Sequence, residues 1–135
     1  MEETAIVIML KNKETGYLEK ELGSYKISEN ESLIYNTFAV EVDGKIVVYI
    51  KITTDKEVED WEFEAIYDYY DLETISPFVT SIEEETECFN PTWIVSFDFA
   101  YETAFMEAKI DKILKLHKNE LLSVYEVIKD KRDEY

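Results

Sequence analysis

Phe38-Ala-Val-Glu-Val-Asp-Gly-Lys-Ile-Val-Val-Tyr-Ile-Lys-Ile-Thr53 is the stretch whose reading decides the fold. Asp43-Gly44 separates two runs rich in β-branched and aromatic residues. A two-residue hairpin turn needs positive φ at both central positions, and Asp-Gly adopts it at low cost. The implied register sets Val42 against Lys45, Val40 against Val47 and Phe38 against Tyr49. The opposite face carries Ala39 with Ile46, Val48, Ile50 and Ile52. Both faces are partly apolar, so either two layers cover this hairpin or one face meets another chain.

Toward the N-terminus, Thr4-Ala-Ile-Val-Ile-Met-Leu10 is a continuous apolar run of strand length, as expected for a strand covered on both faces. Residues 17–27 read as a second strand with a phase fault. Leu18 and Leu22 sit at even positions, Tyr25 and Ile27 at odd ones, and a bulge at Gly23-Ser24 restores the pattern. Ser28-Glu29-Asn30-Glu31 has the form of a capping box, so a short helical turn is expected before a strand from about Thr37. The rival reading makes 33–42 one long strand.

Toward the C-terminus, Thr54-Asp55-Lys56-Glu57 has the same capping form and opens a helix through about Tyr70. Val58, Trp61, Ala65, Ile66 and Tyr69 then make one stripe, with Tyr67 and Tyr70 pointing outward. A strand would instead group Trp61, Phe63, Ala65, Tyr67 and Tyr69; the cap and the length favour the helix. Residues 71–91 read as an irregular acidic connection, and Thr92–Phe99 as a strand with Trp93, Val95, Phe97 and Phe99 on one side. From Ala100 to about Lys131 there is no Gly or Pro, and Met106, Ile110, Ile113, His117, Leu121, Val124 and Ile128 recur at helical spacing. One helix of that length spans roughly 48 Å, more than the width of such a domain, so it breaks near His117-Lys118-Asn119 or overhangs. The expected fold is α+β, a single domain over 1–135. It has a mainly antiparallel sheet of four or five strands, with two main helices, the last one long, packed on one face.

Charge is the most distinctive property. Net charge is −17, yet no Lys or Arg occurs between Lys56 and Lys109, where residues 57–108 hold 15 of the 31 acids. Such a surface repels nucleic acid and anionic membrane and attracts basic partners. At 46% hydrophobic and 14% aromatic residues the chain is no disordered acidic tail. One cysteine, Cys88, excludes an internal disulfide, and no Cys or His pair has metal-ligand spacing. The opening residues lack the positive segment of a signal peptide and no apolar run approaches a membrane span, so a cytoplasmic location is expected.

The acids near Glu83–Glu87 lack the alternating ligands, Gly and closing Glu of a calcium loop, and read as a solvated run. Pairs of carboxylates are findable anywhere among 31 acids and single out no acid–base couple. His117, the one histidine, lies on the apolar stripe with no nucleophile motif, and reads as a packing residue. Cys88 sits among carboxylates, which argues against a reactive nucleophile.

Thr54–Asp71, with Asn90-Pro-Thr-Trp-Ile-Val-Ser-Phe-Asp-Phe99, resembles a family of small uncharacterised acidic proteins of clostridia and related Firmicutes. The resemblance covers most of the chain. It implies a domain of unknown function and supplies no catalytic residues or cofactor.

The expected function is therefore non-catalytic, with no cofactor: a protein-binding or regulatory module whose acidic surface, residues 57–108, meets a basic protein. Neither direct nucleic-acid nor membrane binding is expected. Trp61, Glu62, Glu64, Tyr67, Asp68, Tyr70, Asp71, Glu83, Glu84 and Glu85 are the candidate contact residues, since exposed aromatics among charges anchor interfaces. One alternative is an inhibitor that mimics nucleic acid with carboxylates ordered along a ridge; another is an enzyme of unrecognised type. A homodimer through the C-terminal helix or the hairpin face is a further expectation.

Overall fold

Asp43 and Gly44 both adopt positive φ, 52° and 82°, and the hairpin closes in the register their chemistry implies. It joins β3 (Ile34–Val42) to β4 (Lys45–Thr53), with Phe38 and Tyr49 stacked at 5.1 Å between ring centroids. The computed structural model describes residues 4–135; Met1-Glu2-Glu3, part of the stretch read for a leader, lies outside them.

Around the hairpin the described residues form a six-stranded sheet in the order β2-β1-β3-β4-β6-β5. Its other strands are β1 (Thr4–Lys11), β2 (Leu18–Ile27), β5 (Ser81–Glu85) and β6 (Thr92–Asp98). The sheet is mixed. β1 and β3 are parallel, and every other neighbouring pair is antiparallel. The strand count exceeds the expected four or five because β5 lies inside the segment read as an irregular connection. Glutamate is a poor strand former, so nothing local marked Ser81–Glu85; pairing against β6 overrides propensity there.

One face of the sheet makes the core. Ile8, Ala39, Val48, Ile50, Ile52, Trp93 and Val95 are fully buried on it. Among the described residues no helix lies over the other face: Val7 is 44% exposed, which corrects the expectation that β1 is covered on both sides. The bulge in β2 falls at Leu22, where the register against β1 skips a residue between Gly23 and Glu21, beside the expected position. Gly23 is required there, because a Cβ would stand 2.5 Å from the Tyr25 hydroxyl.

The capping box expected at Ser28 does not form. Asn30, in the left-handed region at φ 66°, opens a 3-10 turn at Glu31–Leu33, and β3 starts at Ile34, close to the longer rival strand. Two α-helices follow later in the chain. α1 (Asp60–Tyr69) starts five residues after the expected position, with Glu59 and Glu62 as the reciprocal capping pair. Thr54 spends its hydroxyl on the Lys56 carbonyl at 2.7 Å. α2 (Thr103–Ile128) is unbroken over 26 residues, roughly 39 Å, and keeps its apolar stripe from Met106 to Ile128 in the core. Of the two alternatives read for this segment, the break near His117 does not occur, and His117 is itself buried and hydrogen-bonded within the continuous helix.

Candidate functional site

The acidic run is built into the sheet. Alternation along β5 puts Glu83 and Glu85 on the uncovered face, across from Ile94 and Thr92, and Glu84 on the helix side, across from Trp93. Glu83 and Glu84 are exposed, whereas Glu85 is half-buried with Lys51 Nζ 3.8 Å away. β5 ends the strand order and pairs with β6 alone, so along its outer side the described residues leave backbone donors and acceptors without a ladder partner.

The α1 acids divide by role. Glu59 accepts the Trp61 Nε1–H at 2.8 Å and Glu62 accepts the Glu59 amide at 3.0 Å, so both serve the helix start. Glu64 and Asp68 are exposed. Asp68 accepts from the Tyr135 hydroxyl at 2.7 Å, a hydrogen bond that holds the phenol proton and pushes that group up to about 12. Asp71 accepts the Glu73 amide at 3.0 Å and caps a 3-10 turn.

The candidate aromatics are not displayed as expected. Trp61 is half-buried. Tyr67 turns its hydroxyl onto the β5–β6 backbone, 3.0 Å from the carbonyls of Glu85 and Thr92, and accepts the Thr92 amide at 2.8 Å. Burial raises its phenol above the ordinary range. Tyr70 is only 6% exposed and stacks on Trp93 at 4.1 Å. The helical spacing places Val58 to Tyr69 on one stripe, but tertiary packing rotates the buried face toward Tyr70 and leaves Tyr69 41% exposed. Trp61, Tyr67 and Tyr70 therefore serve the interior and its rim, and only carboxylates of the candidate set face solvent freely.

Tyr70 belongs to a buried polar chain. Its hydroxyl donates to His117 Nδ1 at 2.8 Å, and His117 Nε2–H donates to the Thr53 carbonyl at 2.8 Å. A carbonyl only accepts, so the proton must reside on Nε2, leaving the Nδ1 lone pair for the phenol. Complete burial, opposed by the Thr53 hydrogen bond, pulls the imidazole down to about 4. Both ring nitrogens are consumed and no atom of the ring is exposed, so the geometry ties α1, α2 and β4 together.

Two open clefts of about 290 and 280 Å³ flank Asp98, the first lined by Phe78, Phe97, Phe105 and Lys109, the second by Lys45, Phe99 and Tyr101. Each holds one carboxylate and one amine. No group of three or more His, Cys, Asp or Glu among the described residues is placed to hold a metal ion. No helix among them is long and apolar enough to cross a membrane. Cys88 is free and half-buried. The feature missed from sequence is the edge strand itself, in which three consecutive glutamates after Ser81-Ile82 carry no strand pattern.

A family model described as a family of unknown function (DUF6762) matches residues 1–135. No curated protein and no solved structure matches the chain.

Proposed function

We propose, for a chain that belongs to the family of unknown function DUF6762 over residues 1–135, a non-catalytic protein-binding role in which the acidic edge of the sheet receives a basic partner. The observation that carries this reading is the position of Glu83 and Glu84 on a terminal strand with unpaired backbone. An extended basic segment adding to β5 gains main-chain hydrogen bonds from the edge, and its alternate side chains meet carboxylates on both faces. Glu64 and Asp68, exposed on α1, and the net charge of −17 add long-range attraction for cations. The split of Glu83 and Glu84 between two faces of the sheet favours a strand over a duplex-like ridge, and so favours this reading over nucleic-acid mimicry.

The test is titration of an isotope-labelled protein with an eight-residue Lys-Lys-Val-Val-Lys-Lys-Val-Val peptide, which as a strand carries lysines on both faces, at low and at high salt. Binding should protect β5 amides from hydrogen exchange, weaken steeply with salt, and fall at least tenfold in Glu83→Lys/Glu84→Lys. Binding without change at Ser81–Glu85, or indifference to the double charge reversal, would refute the reading.

A further inference from the structure

The uncovered face of the sheet is apolar at its centre and charged at its flanks. Val7 and Met9 of β1, Phe38 and Val40 of β3, and Val47 and Tyr49 of β4 share it, at 44% exposure for Val7 and half-buried for the others. Neither α-helix packs on it, since the buried residues of both belong to the cluster on the opposite face. Strand spacing and rise give this face roughly 24 by 26 Å, on the order of 600 Å² in plan, and side-chain relief raises its accessible area toward the ~800 Å² per partner of a small specific interface.

Its charges are arranged with a direction. The rung Leu10–Ala39–Val48–Phe97 crosses four strands, so Lys11 and Asp98 both stand one residue further on, pointing to the uncovered side. Lys11 Nζ lies 4.9 Å over the Phe38 ring, already folded across the apolar patch, and Asp98 is exposed. Three strand spacings, roughly 14 Å, separate the two residues, too far to pair within one chain.

We infer that this face is occupied by a second copy of the same chain, in a two-fold arrangement whose axis runs along the strands between the two sheets. That operation sets β1 of one copy over β6 of the other and β3 over β4. Lys11 of each copy then meets Asp98 of its mate, and Phe38 and Val40 meet Tyr49 and Val47. A two-fold axis across the strands would instead set β1 over β1 and β6 over β6, so that Lys11 of neither copy would meet Asp98 of its mate. The pairing buries the apolar centre in sheet-on-sheet packing and leaves the outer edge of β5 at the rim, so this inference is independent of the edge-strand reading.

Sedimentation equilibrium at physiological salt between 1 and 100 μM tests it, with circular dichroism confirming that each variant folds. The wild type should approach twice 16.0 kDa within that range. Val47→Asp, at the centre of the face, should abolish association. Lys11→Asp and Asp98→Lys should each weaken it at least tenfold, and the double variant should return to within about threefold of wild type. Asp98→Lys reduces the net negative charge, so an association governed by overall repulsion would strengthen instead. A monomer at 100 μM, a dimer indifferent to Val47→Asp, or affinities that follow net charge without rescue would each overturn the inference.

Discussion

Lowering the pH from 7 to 5 should remove a stabilising contribution that rests on one side chain, His117. The ring is the only histidine in the chain, and burial holds it at about 4 in the folded state. An unfolded histidine titrates near 6.5, so the folded pKa is the lower of the two and the unfolded state binds the proton first. The contribution is therefore intact above about 6.5 and is lost as pH falls toward 4. Linkage over that window gives a loss of about 2 kcal/mol by pH 5 and about 3 kcal/mol by pH 4. Carboxylates titrate over the same range with both signs. Asp111, for example, is raised by burial and then by Glu107 and Glu29, so acid favours its folded form. That background is shared with His117→Gln, whose amide can still donate to the Thr53 carbonyl but does not titrate. Urea unfolding of both proteins at pH 7, 6 and 5 isolates the histidine. The variant starts less stable, by about 1–3 kcal/mol for the unpartnered Tyr70 hydroxyl, and its deficit should shrink by about 2 kcal/mol at pH 5. A deficit constant to within about 0.5 kcal/mol across that range would refute the neutral, doubly bonded imidazole.

Two further outcomes follow from particular backbone positions. Gly44→Ala places a Cβ in open space, but at φ 82°; it should cost about 1–2 kcal/mol by thermal unfolding, all of it conformational. Glu59→Ala should cost about 0.5–2 kcal/mol because it removes the cap of α1, whereas Glu57→Ala, exposed and ahead of the helix, should stay within about 0.5 kcal/mol. Equal costs at the two positions would place the helix start where the Thr54 motif put it.

The parts of the fold legible in the chain were those governed by local chemistry. Asp43-Gly44 specified its turn and with it seven rungs of ladder, from Val42–Lys45 to Asn36–Lys51, because positive φ at two adjacent residues admits few alternatives. The 3.6-residue recurrence from Met106 to Ile128 specified the last helix, and the single histidine on that stripe read correctly as a packing residue. Thr54 and Ser28 misled, because a capping motif needs only three spaced residues and competes with other uses of the same hydroxyl.

What the sequence alone determined was the α+β class, the hairpin register, the apolar stripe of α2 and the confinement of surplus acid to 57–108, all properties of neighbours along the chain. Only tertiary structure decided that Glu83–Glu85 form an edge strand, that Tyr70 turns inward to His117, and that Lys11 and Asp98 share a rung on an open face. Each of these joins residues from distant segments, and their energies come from ladder pairing, burial and sheet geometry, which no local pattern encodes.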